Sequence, residues 1–117
     1  MNKCHFIGRF TLDPEVEKIV NDNDRETSVV NFTLAINRRF RKNNGEIGKN
    51  VVYLDFEAWD SGAEVICKNF RAGDAIIVHA SARSTPIEAY DGSNVNKVTF
   101  RVEEFSFPSE QNLVTRD

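Results

Sequence analysis

From Ser28 to Asn37 the alternation of side chains between two faces is clear. Val30, Phe32, Leu34 and Ile36 fall on one side, and Asn31, Thr33, Ala35 and Asn37 on the other. A period of two matches the pleat of a strand that buries one face, whereas a helix would scatter these residues around its circumference. A second run, Val51 to Trp59, repeats the pattern. Val52, Leu54, Phe56 and Ala58 face a core, and Tyr53, Asp55, Glu57 and Trp59 face away from it. Between the two runs, Asn43-Asn44-Gly45 and Gly48 supply turn residues, so the runs read as one long hairpin. Composition agrees: Val and Ile together number 20 against 4 Leu, and nine of the twelve aromatic residues are Phe. Such side chains fit a pleated surface, and an all-β chain is expected.

The remaining segments fill out five strands and one helix. Lys3 to Phe10 alternates loosely, with Cys4, Phe6 and Phe10 opposite His5, Ile7 and Arg9, and Asp13-Pro14 breaks it. Residues 21–26 form a polar turn. After the hairpin, Ser61 and Glu64 match a capping box that starts a helix. Ala63, Ile66, Cys67 and Phe70 then make one buried stripe, and Gly73 stands where a C-terminal cap belongs. Cys67 reads as a small core residue. Ala75 to Arg83 returns to strand with Ile76, Val78, Ala80 and Ala82 inward, and Pro86 is expected to end it. Tyr90-Asp91-Gly92 turns the chain into a last strand, Val95 to Phe107, whose phase slips near Glu103-Glu104 as at a β-bulge. Residues 1–107 are expected to form one domain, and 108–117 a short polar tail.

Length, charge and cysteine usage exclude several classes. A chain of 117 residues and 13.3 kDa makes one domain. No run approaches the roughly 18 apolar residues of a membrane span, and Met1-Asn2-Lys3-Cys4-His5 opens no secretory signal, so no membrane partner and a cytoplasmic location are expected. Cys4 and Cys67 form no CxxC pair, and no cofactor is implied. Asp55, Glu57, Asp60 and Glu64 invite comparison with a metal-dependent nuclease, but they spread over a strand, a turn and a helix. His5 and His79 have no nucleophile at a recognisable spacing, so the chain does not read as an enzyme. The net charge is −3, yet residues 38–49 carry Arg38, Arg39, Arg41, Lys42 and Lys49 against Glu46, and residues 13–26 hold six acids against two bases. A basic stripe on an acidic body suits one anion-binding face.

Three strands, a helix and two strands is the order of the OB-fold, a five-stranded Greek-key barrel that binds oligonucleotides on one face. The chain also resembles the bacterial-type single-stranded DNA-binding proteins and their phage-encoded relatives. The resemblance runs from about Asn2 to Phe107. It rests on Asn2-Lys3, Ile7-Gly8-Arg9, Asp13-Pro14-Glu15-Val16, Val30-Asn31-Phe32-Thr33-Leu34-Ala35, Trp59, Ala63-Glu64 and Phe70-Arg71-Ala72-Gly73-Asp74, in that order. It implies a homo-oligomer, a tetramer more often than a dimer, that wraps single-stranded DNA during replication, recombination or repair. It also implies stacking aromatics at Phe40, Tyr53 and Trp59. A fourth family aromatic follows the fourth strand, where an ungapped match lands on Ile87 and Tyr90 lies three residues later. Typical members end in a flexible linker and an acidic tail that recruits other enzymes. Leu113-Val114-Thr115-Arg116-Asp117 does not match such a tail, so tail-mediated partners are unsupported. A tailless relative of primosomal type, acting through protein contacts, is the alternative.

Single-stranded DNA offers phosphates and unstacked base faces, and sequence-tolerant binders meet them with a cationic groove and aromatic platforms. Arg38, Arg39, Arg41, Lys42 and Lys49 are the first candidates for phosphate, with Arg9, Arg83, Lys97 and Arg101 as weaker ones. Phe40, Tyr53, Trp59 and Tyr90 are the candidates for stacking. Strict alternation from Phe32 puts Phe40 on the core side, so it needs a bulge or twist to reach DNA. Asp55 and Glu57 share the face of Tyr53 and would repel phosphate unless cations such as Arg38 or Arg39 on the adjacent strand pair with them.

Overall fold

In a computed structural model the described residues are 1–108. The elements run β1 (Cys4–Phe10), β2 (Glu17–Val20), β3 (Glu26–Arg41), β4 (Ile47–Trp59), α1 (Asp60–Asn69), β5 (Ala75–Glu88) and β6 (Asn94–Ser106). Five strands close a barrel. β1 pairs antiparallel with β5 along Cys4 to Arg9, and with β3 at Arg9↔Ala35 and Phe10↔Leu34. β5 pairs with β6, β3 with β4, and a short parallel contact, Phe56↔Phe100 and Glu57↔Arg101, joins β4 to β6. With α1 between the third and fourth barrel strands, this is the OB-fold.

The alternation read from the sequence sets the interior. Val30, Leu34, Phe56, Ile66, Phe70, Ile76 and Val78 are fully buried, and Phe6, Phe100, Phe105 and Phe107 pack against them. The rings form a chain through the barrel: Phe107 stacks on Phe70 at 4.8 Å, Phe70 meets Phe10 at 5.1 Å, Phe10 meets Phe32 at 4.9 Å, and Phe32 stacks on Phe56 at 5.6 Å. Phe40 alone among the phenylalanines stands outside this cluster. The bulge expected near Glu103 is present, since His79 pairs with Glu104 while Ala80 pairs with Val102.

Four expectations are corrected. β2 is a further strand, a short exposed one that pairs with Glu26 to Val29 at the start of β3. Pro86 does not end β5, which runs on to Glu88 with Pro86 opposite Asn96. Beyond Ala80 β5 has lost β1 as a neighbour, and only the Asn2 side chain reaches Ala82, so a proline on that open edge costs little. The capping box does not form. Trp59 holds the cap position without a side-chain bond, because β4 feeds straight into the helix and Glu64 is engaged by Lys18 and Ser28. Gly73 is not the helix cap, as α1 ends at Asn69 with Phe70 as its cap. Gly73 adopts φ +91° in the following turn and donates its N–H to Phe10 O at 2.8 Å. The tail expected at 108–117 lies, after Pro108, outside the described residues.

β3 has 16 residues, a reach of ~50 Å, more than the barrel needs. Its surplus and that of β4 form a two-stranded arm, and β5 and β6 form a second one.

Candidate nucleic-acid interface

The β3–β4 arm is paired in one unbroken register from Val29↔Trp59 to Arg41↔Ile47. Lys42 N–H donates to Glu46 O (2.8 Å), Gly45 N–H to Lys42 O (3.0 Å) and Glu46 N–H to Asn44 Oδ1 (3.0 Å), which closes the turn. The basic run is therefore mostly strand, and its cations are spaced by the pleat. With no bulge, alternation divides them. Arg39↔Lys49 and Arg41↔Ile47 lie on the side of Ala35↔Tyr53, the outer face of the barrel. Arg38↔Asn50 and Phe40↔Gly48 lie on the opposite side, the continuation of the core face. The Phe40 ring covers Gly48 so closely that a Cβ there would stand 2.5 Å from the ring Cζ and 3.0 Å from Lys42 Cε. A concavity of about 310 Å³ lies along the arm between Asn37, Arg38, Arg39, Lys49, Asn50 and Val51.

The outer face continues onto the barrel. Tyr53 is 64% exposed, and its neighbours in the same row across the sheet are Ala35 and then Arg9. Ala35 leaves space between the two larger side chains. One Arg9 guanidinium nitrogen donates to Gly73 O at 2.8 Å. On β5 and β6, Arg83↔Thr99, Thr85↔Lys97 and Ser81↔Arg101 occupy the same outer face. Asp55 and Glu57 are not bare acids there. Asp55 accepts from Thr33 Oγ1 (2.7 Å) and lies 3.8 Å from Lys97 Nζ, and Glu57 accepts from Arg101 Nε (3.2 Å). The cations that neutralise them come from β6, and not from Arg38 or Arg39 as the sequence suggested, because β6 is the second neighbour of β4 at this level. Trp59 is half-buried at the end of β4.

A protein-family model described as the single-strand binding protein family matches residues 1–108. The chain belongs to that family. It is 32% identical over 107 residues to single-stranded DNA-binding protein 2 of Chlorobaculum tepidum, covering 92% of this chain and 70% of that one. It is also 32% identical over 107 residues to the single-stranded DNA-binding protein of Clostridium perfringens, where the match spans 92% of this chain and 65% of the relative. The solved Plasmodium falciparum SSB complex with ssDNA shares the fold, with a TM-score of 0.76 over 91% of each chain at 19% identity. Membership makes this a binding protein and not an enzyme.

Of the residues singled out in the sequence, the structure turns Tyr53, Trp59, Arg9, Arg39, Arg41, Lys49, Arg83, Lys97 and Arg101 to the outside of the sheet. Arg38 and Phe40 are separated onto the other side of the arm, with Lys42 beside them at the turn. Tyr90 sits fully exposed in the turn at the tip of the second arm, on neither sheet face, while Ile87 pairs with Val95 on the outer face. The pairing of Asp55 with Lys97 and of Glu57 with Arg101 was not foreseen. Alternation showed all four pointing outward, but nothing local reveals that β4 lies beside β6. A depression of about 620 Å³ is lined by Asp13, Glu15 and Glu17 with Thr11, Asn31 and Thr33, a set that repels a polyanion. Among the described residues no group of three or more His, Cys, Asp or Glu side chains is placed to hold a metal ion. Burial pushes the Cys67 thiol up from its ordinary value, as suits a packing residue.

Proposed function

We propose that the protein binds single-stranded DNA with little sequence preference and protects it during replication, recombination or repair. The observation that carries this reading is the outer face, where exposed Tyr53 shares one side of a regular ribbon with Arg39, Arg41 and Lys49. A strand laid there meets a stacking platform and a row of phosphate partners in one register. Tyr53 and Trp59 stack bases on the barrel, while Arg39, Arg41, Lys49 and Arg83 take phosphates. Arg38, Phe40 and Lys42 are met where the strand turns over the arm, and Tyr90 only by a strand that reaches the second tip. Lys97, Arg101 and Arg9 are already engaged and contribute less. Stacking and phosphate contacts carry no base-edge information, so sequence tolerance follows from them.

Self-association accompanies this reading, as a tetramer in preference to a dimer. It is supported by β1, whose residues Cys4 to Ile7 pair only with β5 among the described residues and leave their second edge open beside exposed Ile7. The described residues include no helix long and apolar enough to cross a membrane, and the cytoplasm or nucleoid of a bacterial host is where such DNA occurs.

Titration with labelled oligo-dT, with an equal-length duplex as control, tests the function by anisotropy alongside the fluorescence of Trp59. Binding of oligo-dT alone, with quenching, is expected. A flat anisotropy at low salt would remove DNA as the ligand and leave a protein-binding adaptor. Light scattering on the same sample reads the oligomer.

A further inference from the structure

Trp59 is held from two directions. Its indole N–H donates to Glu57 Oε2 at 3.1 Å, and the other oxygen of the same carboxylate accepts from Arg101 Nε at 3.2 Å. The Arg101 guanidinium carbon in turn lies 5.4 Å from the centroid of the indole. The backbone dictates this triangle. Glu57 and Arg101 are direct partners across the parallel β4–β6 contact, and Glu57 and Trp59 are two residues apart on one face of β4. The Glu57 side chain is 16% exposed against 39% for Arg101, so the carboxylate is the sheltered centre of the group.

We infer that Glu57 is a positioning residue for the bound strand: it holds Trp59 as a stacking surface with one open face and no free donor, and it keeps Arg101 away from the phosphates. The inference rests on the DNA-binding reading above. A guanidinium over one side of an indole occupies that side, so a base stacks on the other. An indole N–H already given to a carboxylate makes no bond to a base edge, and the contact carries no sequence information. A cation neutralised by a protein carboxylate displaces no counterion from DNA, so Arg101 adds nothing to the salt dependence. Glu57 thus converts a tryptophan and an arginine, each able to discriminate or to grip, into a sequence-neutral platform.

Two substitutions separate these roles. In Glu57→Gln the side-chain carbonyl still accepts from the indole, but no charge holds Arg101. The slope of log affinity for oligo-dT against log salt is expected to steepen by about 0.7, the value of one further phosphate contact on a single strand. Acrylamide quenching of Trp59, the sole tryptophan, is expected to stay at the wild-type level in the DNA-free protein. In Glu57→Ala both partners are released. Quenching by acrylamide rises, and affinity at high salt falls by roughly fivefold or more, the lower end of what a lost stack costs. Circular dichroism accompanies both variants, and should the Ala variant not fold, the slope of the Gln variant decides. A wild-type slope in Glu57→Gln, or wild-type quenching and affinity in a folded Glu57→Ala, overturns the inference. A wild-type protein that binds no oligo-dT overturns the functional reading and this inference with it, whereas variants that merely match a binding wild type remove only the role of Glu57.

Discussion

Tyr53 and Phe40 are both exposed aromatics on one ribbon, yet the unbroken register sets them on opposite sides of it. Each base–aromatic stack is worth roughly 1–3 kcal/mol by alanine substitution, about 5- to 150-fold in affinity. Tyr53→Ala should lose that much for oligo-dT while its salt slope stays at the wild-type value. Phe40→Ala should lose less, because its ring already covers Gly48. Equal losses, read by anisotropy, would mean that the strand passes over both sides of the arm. At the far end of the barrel Glu64 does a different job from the capping expected of it. Lys18 Nζ donates to its Oε1 at 3.0 Å and the buried Ser28 hydroxyl at 3.2 Å, tying β2 to α1. Those bonds, Lys18 foremost, hold the Glu64 carboxyl below its ordinary value, and the bond to Glu64 holds the Lys18 ammonium above its own. A depressed carboxyl stabilises the fold fully above the ordinary carboxylate range and loses that contribution as pH falls through the lowered value. The raised ammonium contributes below the ordinary lysine range and loses its share as pH rises through the raised value. Wild type should therefore be more stable than Glu64→Gln at neutral pH, and the gap should close on acidification. Urea melts across that range would expose a constant gap if the network carried no charge effect.

At the scale of the element, the β3–β4 arm is a ribbon with a cationic row on each side, and the two rows are separable. Arg39→Ala with Arg41→Ala removes two cations from the Tyr53 side and should flatten the salt slope by about 1.4, from 0.7 per phosphate contact on a single strand. Arg38→Ala, on the far side, should change it less. Salt titrations with oligo-dT compare the two directly, and a larger effect from Arg38 would place the phosphates on the Phe40 side. The ribbon was largely legible in the sequence, since the alternation from Ser28 and the Asn43-Asn44-Gly45 turn define it locally. β2 was not, because Glu17 to Val20 is short, exposed along its length and held as a strand by pairing with β3. The start of α1 was misplaced for a related reason: a capping box is a local signal, and Lys18, distant in sequence, competes for its glutamate.

The whole molecule depends on one chain of phenylalanine rings that connects the barrel strands to α1. Phe56 lies at its centre, fully buried, within 5.4 Å of Phe6, 5.5 Å of Phe100 and 5.6 Å of Phe32 by ring centroids. Truncating such a residue leaves a cavity, and Phe56→Ala should cost ~3–5 kcal/mol in urea unfolding. That is a large part of the stability of a domain this size. A smaller loss would mean that the neighbouring rings collapse into the space. By itself the sequence determined the strand faces, the helix stripe, the bulge near Glu103 and the basic character of residues 38–49, because each depends on a period or a composition that local chemistry enforces. Only the tertiary structure decided which strands beyond the β3–β4 hairpin lie side by side, and with that which charges meet. The parallel contact of β4 with β6 neutralises Asp55 and Glu57 and fixes Trp59, and the continuous register of β3 with β4 sorts the arm cations between two faces. Those outcomes arise from residues 40 or more positions apart, or from the absence of a bulge, and the energy that selects them is the burial of the shared core.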